Sequence, residues 1–480
     1  MDISSRQKLT LVNPNSRWFG KRPWVSVPFA ALILTALLKD EFELSFIDAN
    51  GQDLSEDDCA RMLAQSRPDV ILISALSVEY HRQVHALLAI AKKECPDAVT
   101  VVGGVYPTVL GEEVLRDKNV DYIFIGHAEE RLPEFIHFLN NSEDARACAG
   151  VGFRDERGEI VINPVKTYIA DVKKLQKPDY SLIDLEPYIM RDTHDYQVNS
   201  RGIRSAPIIT TYGCPHNCLF CATRTISGRG VIYRPVEDVL EEIEFLMDRY
   251  NIEDLAVQDD LFLSKRSRIT ELLQSMIDRK YNLTWNSGSS AWDLDDTLLE
   301  LMKKSGCAQI SMSVESGSPH VLKDIIRKPL KLEIIPPLVS KCKELGIDVS
   351  ANFVIGFPGE TWEDLRMSFR FAEECDFDLV HFHVATPLPK TDLYTLAKES
   401  GVLPDDFSFL DERFFGFGNA FISTDEFTAE QLKILRAYEW DRINFSTPEK
   451  TAKVASMYDF TMDELKQHRK KTLLNAGVYF

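Results

Sequence analysis

The sequence predicts an α/β protein made of two successive βα series, the first a doubly wound parallel sheet, followed by a small, mostly helical C-terminal region. Three observations predict it. Short apolar runs recur along most of the chain, segments with helical spacing lie between them, and the runs end on glycine, serine, asparagine or aspartate, the punctuation of βα turns. The 480 residues suffice for two or three domains, and 44% hydrophobic with 27% charged content is that of ordinary soluble protein.

Residues 1–140 hold the first series. Strand-like runs at 9–12, 44–47, 69–73, 99–102 and 122–125 end respectively at Asn13, Asp48, Ser74, Gly103 and Gly126. Helical patterns lie at 28–38, 57–65, 80–93 and 129–138. Continuous apolar strands separated by helices read as a parallel sheet covered on both faces. Ligands of such sheets bind beyond the carboxyl ends of the strands. Those ends carry Asn13, Ser74, Ser77, Gly103, Gly104 and Gly126, small or polar groups that let a ligand approach the backbone.

Residues 141–206 read as a connector containing a hairpin over 151–165, with its turn at Asp155–Glu159. Residues 207–400 resume the alternation. Strand-like runs lie at 208–211, 255–258, 283–286, 309–314, 348–354 and 379–385, and helical patterns at 236–249, 265–279, 295–304, 331–345 and 361–374. Residues 401–480 change character. An aromatic and acidic stretch at 405–417 precedes helical patterns at 428–444 and 461–475, and the Phe-Phe-Gly-Phe-Gly run at 414–418 would suit a lid or cavity wall.

Directly after the first strand of the second series stands Thr-Thr-Tyr-Gly-Cys-Pro-His-Asn-Cys-Leu-Phe-Cys, with Cys214, Cys218 and Cys221. Cys-x3-Cys-x2-Cys gathers three thiolates round one point and leaves a fourth position unclaimed. A [4Fe–4S] cubane has four irons, each wanting one ligand beyond its sulfides. Three cysteines therefore leave one iron open to a small molecule. Zinc is the alternative, but structural zinc sites close all four positions, and no second Cys-x-x-Cys pair exists in the chain. The other six cysteines read as buried thiols.

This motif, with Phe220 just before the last cysteine, resembles the signature of the radical S-adenosylmethionine (radical SAM) enzymes. The resemblance extends over roughly residues 205–400 and implies a partial (β/α)6 TIM barrel. Working residues of such barrels lie on loops at the carboxyl ends of the strands. It implies that the open iron chelates the amino and carboxylate groups of SAM. Reduction then yields methionine and a 5′-deoxyadenosyl radical, which abstracts a hydrogen atom. Carried over by position, Phe220 helps hold adenine, while Gln258, Asp259 and Asp260 engage the amino group. Ser313 and Glu315 hold the ribose hydroxyls, and Asn352, Ile355 and Gly356 pack against adenine. Arg327 and Lys328 either meet the SAM carboxylate or begin a helix. Trp285, Asn286, Ser287, Trp292, His381 and His383 either face a substrate or belong to the core.

The runs Val102-Gly103-Gly104-Val105-Tyr106-Pro107-Thr108 and Gly126-His127-Ala128-Glu129 resemble the cobalamin-binding, Rossmann-like domain that precedes many radical SAM enzymes. The likeness implies cobalamin contacts from Asn13, Ser74, Ser77, Gly103, Gly104, Tyr106, Pro107, Thr108, Gly126 and Glu129; a plain βα turn is the alternative for the glycines. The Asp-x-His-x-x-Gly motif that supplies cobalt with a lower histidine in other cobalamin proteins is missing. The layout implies a cobalamin-dependent methyltransferase acting on an unactivated carbon of a natural-product or lipid-type small molecule, with flavodoxin or ferredoxin as reductant. The alternatives are a radical enzyme that dehydrates, epimerises, cyclises or oxygenates, and a protein that senses cobalamin or SAM.

The net charge of −19 counts against a nucleic-acid partner, which a basic stripe would announce. No run of eighteen uninterrupted apolar residues offers a membrane span, and the basic-then-apolar order of a signal peptide is lacking. Nine cysteines without a disulfide-like framework suit a reducing cytoplasm.

Overall fold

The apolar runs of the first series become strands β1 (Lys8–Asn13), β2 (Glu43–Asp48), β3 (Val70–Ser74), β4 (Val99–Gly103) and β5 (Tyr122–Phe124). The computed structural model describes residues 7–127, 131–140, 144–165, 175–189, 204–413 and 419–478. It divides into two compact units: Met1–Tyr188 with Thr225–Arg234, and Ile189–Arg224 with Pro235–Phe480.

In the first unit β1 to β5 are parallel, in the order β2-β1-β3-β4-β5. The predicted hairpin forms as β6 (Val151–Arg154) and β7 (Ile160–Ile162), and it extends this sheet antiparallel from β5. Asp155 Oδ1 accepts the N–H groups of Arg157 (2.8 Å) and Glu159 (2.9 Å), which fixes the turn. The winding reverses between β1 and β3, so the crevice at the carboxyl ends of those two strands is the natural ligand position.

A helix that periodicity does not announce, Val105–Leu115, follows β4. Its β-branched residues, Pro107 and Gly111 have poor helix propensity, and its spiral is broken at Leu110 (φ −130°). It starts because Gly104 turns the chain at φ +101°, hard against β3's loop. A Cβ there would lie 2.6 Å from the Ala75 carbonyl oxygen, whereas one at Gly103 would meet nothing within 4 Å. Gly104→Ala should therefore lower stability by about 1–3 kcal/mol from backbone strain alone, and Gly103→Ala should leave it nearly unchanged. Urea unfolding of the two variants side by side checks the contrast.

The second unit holds β8 (Ser205–Ile208), β9 (Asp254–Val257), β10 (Thr284–Ser289), β11 (Cys307–Glu315), β12 (Asp348–Ile355) and β13 (Leu379–Val384). All six are parallel and lie in sequence order across one sheet. Strand β8 begins three residues earlier than its apolar run suggests, because it includes Pro207. An edge strand tolerates proline, which has no N–H for a second neighbour, and β8 is an edge. At the opposite edge the buried Asn444, ending the helix Ala429–Asn444, bonds both free groups of Val380. Its Oδ1 accepts the N–H (2.7 Å) and its Nδ2 donates to the carbonyl (2.8 Å). The helix Pro448–Met457 is likewise unannounced. Thr447 caps it by accepting Lys450 N–H, and proline takes its first position. Among the described residues no helix is long and apolar enough to cross a membrane.

Candidate functional site

Alternation along the second sheet sorts its faces. Phe353 of β12 and Phe382 of β13 pack together at 5.5 Å between ring centroids, with Phe369 of the helix Trp362–Glu374 at 5.1 Å. The opposite face is polar. Asn352 Nδ2 donates to Ser311 Oγ at 2.9 Å, and Asn352 Oδ1 lies 3.3 Å from His383 Nε2. His381 shares that face two residues away, its ring centroid 6.3 Å from that of His383. Burial pushes the His381 pKa down to about 3 and also lowers that of His383, so both are neutral imidazoles at ordinary pH.

The cysteine loop leaves β8 at the carboxyl end, as the barrel rule requires. Its middle is pinned at the buried Leu219, whose N–H donates to the Ile326 carbonyl (3.1 Å) and whose carbonyl accepts from Leu393 N–H (2.9 Å). Cys221 N–H donates to the Cys218 carbonyl at 3.1 Å, closing the Cys-x2-Cys turn. Cys214 and Cys218 are half-buried and Cys221 is exposed. Burial raises the Cys214 thiol and pushes Cys218 up to about 11, while the Lys328 cation opposes the rise at both. Among the described residues no three His, Cys, Asp or Glu side chains converge on one metal ion. Three thiols on one short loop, one of them open to solvent, suit a cluster that leaves an iron free for another ligand.

Around this loop the predicted groups divide. Phe220 lies 5.8 Å from Phe357, two residues past the end of β12, so the cysteine loop and the loop after the fifth strand share an aromatic wall. Glu315 is reached through a bulge in β11 after Ser313, and stands at φ +69°. Its carboxylate accepts from Lys328 Nζ at 2.9 Å, and the two side chains are only 9% and 6% exposed. Lys328 also lies 5.4 Å from the ring of Trp292, which packs edge-on at 5.2 Å against His216 of the cysteine loop. Lys328 does not begin a helix, since the next one starts at Leu332. Trp285, by contrast, is core: it is 1% exposed and its indole N–H donates to the Ser305 carbonyl.

The acids after β9, expected at the SAM amino group, bond the loop that follows β8. Asp259 accepts the Thr210 N–H (2.6 Å), the Thr210 hydroxyl (2.6 Å) and the Thr211 N–H (3.1 Å). Burial raises its pKa, with the Thr210 hydroxyl opposing. Asp260 accepts from Gly213 N–H and from the Thr223 hydroxyl. Both carboxylates hold the loop after β8, and Gln258 is exposed.

Glu360 is a site residue that the sequence reading passed over. It ends the turn Gly356-Phe357-Pro358-Gly359, and its Oε2 accepts the N–H groups of Gly356 (2.6 Å) and Phe357 (3.0 Å). Its Oε1 is buried with no hydrogen-bond partner among the described residues. Burial pushes its pKa up to about 8, with the Phe357 N–H opposing. An acid capping a glycine turn just before a Thr361 helix cap is the signal that could have found it. Folded, Glu360 keeps its proton to about pH 8; unfolded, it loses it in the ordinary glutamate range. Between those limits the folded chain holds one proton more. Stability contributed here is complete below that range and falls as pH rises toward 8, by at most about 1.4 kcal/mol per unit. Glu360→Gln should remove this decline, which unfolding midpoints from pH 5 to 9 would show.

In the first unit the strand ends are held open. Asn13 Nδ2 donates to Asp48 Oδ1 (3.0 Å), Ser77 Oγ caps a short helix by accepting Glu79 N–H (3.2 Å), and Thr108 Oγ1 accepts Gly126 N–H (2.8 Å). Tyr106 is fully buried. Its hydroxyl is 3.1 Å from His85 Nε2, whose Nδ1 lies 2.7 Å from Asp117 Oδ2, so His85 is committed to the fold. Ser74 stands at the end of β3, Gly103 borders open space, Pro107 is buried in its helix, and Glu129 lies outside the described residues. On the loops after β1 and β3, flanking the winding reversal, Phe19 and Leu76 are 45% and 49% exposed. Phe19 holds a left-handed φ of 62°, with the Arg82 guanidinium 4.6 Å from its ring.

Comparison with known proteins accounts for both units. The chain matches the radical SAM superfamily over residues 208–372 and the B12 binding domain over residues 20–136. It is 29% identical over 433 residues to cytidylyl-2-hydroxyethylphosphonate methyltransferase of Streptomyces wedmorensis, covering 81% of each chain. It is 26% identical over 358 residues to an anaerobic magnesium-protoporphyrin IX monomethyl ester cyclase of Rubrivivax gelatinosus, covering 73% of this chain and 62% of that one. The fold is that of the radical SAM methyltransferase TsrM from Kitasatospora setae, solved with cobalamin and a [4Fe–4S] cluster bound. That structure superposes with a TM-score of 0.75 over 98% of this chain and 99% of TsrM, at 18% identity.

The chain thus carries a domain of the radical SAM superfamily of enzymes. That domain is preceded by a B12-binding domain.

Proposed function

We propose that this enzyme methylates an unactivated carbon of a small molecule of natural-product or lipid type, using a [4Fe–4S] cluster on Cys214, Cys218 and Cys221 together with SAM and cobalamin. One observation carries the reading. A B12-binding domain and a radical SAM domain stand in one chain, which resembles a methyltransferase over 81% of both lengths. When bound, the cluster supplies the electron that splits SAM to a 5′-deoxyadenosyl radical, and cobalamin carries the methyl group.

The chain's own residues bind, orient and exclude water. Phe220, Ile355 and Gly356, with Phe357, would form the adenine wall, and Glu360 would hold that wall's turn in place. Ser313 and Glu315 would accept the ribose hydroxyls, since a carboxylate takes two O–H donors. Lys328, already beside Glu315, would meet the SAM carboxylate. The neutral His381 and His383, with Asn352, offer a substrate hydrogen bonds without adding charge. Residues 207–400 would form the radical SAM domain, and 401–480 would confer specificity. The 414–418 run, the expected lid or cavity wall, lies outside the described residues.

A flavodoxin or ferredoxin is the expected electron donor, and the cytoplasm the expected compartment. The likeness to a cyclase favours a second reading, in which the same radical step proceeds without methyl transfer. Chain purified anaerobically with cobalamin supplied should carry close to one cobalamin each. Chain that carries none under those conditions would favour the second reading.

A further inference from the structure

We infer that Asp260 is a positioning residue for the cluster rather than a ligand of SAM: it keeps the Thr223 hydroxyl hydrogen away from the Cys221 sulfur, and so keeps the cluster strongly reducing. The inference rests on the [4Fe–4S] reading of the three cysteines.

Three contacts carry it. Asp260 Oδ2 accepts the N–H of Gly213, the residue before Cys214, at 2.8 Å. Asp260 Oδ1 accepts the hydroxyl of Thr223, two residues past Cys221, at 3.3 Å. Thr223 Oγ1 in turn accepts from Cys221 Sγ at 3.4 Å. One carboxylate therefore reaches both ends of the cysteine loop and directs a run of hydrogen bonds from thiol to hydroxyl to carboxylate. The neighbouring Asp259, bonded to Thr210 and Thr211, ties the segment carrying Asp260 to the end of β8.

A threonine hydroxyl has a single hydrogen. While that hydrogen points at Asp260, the sulfur beside it receives no hydrogen bond from Thr223. A cysteine that ligates iron gives up its own proton, and the Thr223 hydrogen then has two anionic acceptors to choose between, the thiolate and the carboxylate. Hydrogen bonds to cluster sulfurs are one of the determinants of cluster potential, because they stabilise the reduced, more negative state. A carboxylate near the cluster opposes the incoming electron as well. Asp260 therefore lowers the potential twice, by its charge and by claiming the hydroxyl hydrogen. Lys328, on the Cys218 side, acts in the opposite sense.

The test is the midpoint potential of the cluster in the full chain, reconstituted anaerobically and titrated without SAM. Asp260→Asn keeps the side chain's shape, can still accept Gly213 N–H, and turns an amide N–H toward Thr223, which frees the hydroxyl to donate to sulfur. Its midpoint should become more positive, by at least a tenfold change in the ratio of oxidised to reduced cluster at fixed potential, about 59 mV for one electron. Thr223→Val alone should leave the midpoint near wild type. Added to Asp260→Asn, it should cancel the part of the shift due to the hydroxyl. Asp260→Ala, which loses the Gly213 contact, should lower the iron bound per chain.

An unshifted midpoint in Asp260→Asn overturns the inference, and so does a more negative midpoint in Thr223→Val, which shows that the hydroxyl serves the sulfur already. A change confined to the dissociation constant of SAM returns Asp260 to the amino-group role. Wild-type chain that assembles no [4Fe–4S] cluster fails the reading beneath the inference, and the inference with it.

Discussion

Cys218→Ala is expected to abolish both iron–sulfur absorbance and 5′-deoxyadenosine formation, leaving product at background. The loss should be complete rather than graded. Two remaining thiols cannot hold three irons of a cubane, and the described residues offer no side chain grouped with them to replace the third. The loop should survive the change, because its anchor is the neighbouring Leu219, through backbone bonds to Ile326 and Leu393. Circular dichroism of the variant should therefore match wild type while the visible spectrum is lost. Cleavage of SAM at wild-type rate by Cys218→Ala would remove these cysteines from the chemistry altogether.

Glu315→Gln is expected to produce the largest combined effect on stability and SAM affinity. Its carboxylate and the Lys328 ammonium are both buried at 2.9 Å, and removing one partner leaves the other charge uncompensated. Such losses cost about 3–5 kcal/mol. The proximity of Lys328 to Trp292, at 5.4 Å, offsets a part of this but does not replace a counter-ion. Glu315→Gln with Lys328→Met should be more stable than Glu315→Gln alone, because no lone charge remains. For SAM, exchanging a carboxylate for an amide at the ribose diol weakens charge-assisted bonds each worth about 1.5–3 kcal/mol. Affinity should fall by roughly tenfold to a hundredfold. Calorimetric titration of SAM and denaturant unfolding read the two effects separately. Unchanged SAM affinity in a folded Glu315→Gln variant would take Glu315 out of the ribose site.

Much of this was legible in the sequence, for reasons that are local. The first four parallel strands of the first sheet stop at Asn13, Asp48, Ser74 and Gly103, where the ends of their apolar runs put them, and β5 stops at Phe124, two residues short of Gly126. The three cysteines announce their donor chemistry by spacing alone. Elements at odds with propensity were hidden. The helix Val105–Leu115 is built from residues that disfavour helices and starts on a glycine turn set by Ala75, which is distant in sequence. Strand β8 contains Pro207, acceptable only because it lies at an edge that the sequence does not mark.

The same distinction holds within the site. A resemblance by position gives residue types at strand ends, but not which atoms their oxygens face. Asp259 and Asp260 have the expected identity, but the partners of their oxygens within the chain are fixed by where Thr210, Gly213 and Thr223 come to rest. Lys328 and Trp292 meet at 5.4 Å although they stand 36 positions apart, on segments that follow different strands. Glu360 was passed over because a buried, raised acid is a product of packing, and nothing in its own residue type reports it.

The most direct test of the whole account is one anaerobic incubation of the cobalamin-loaded, cluster-loaded chain with SAM and a reductant, with both nucleoside products counted. A cobalamin-dependent radical methyltransferase consumes SAM in two ways. The account predicts 5′-deoxyadenosine from the cleavage step together with S-adenosylhomocysteine from methyl donation. Formation of neither product, with both cofactors bound, would contradict it.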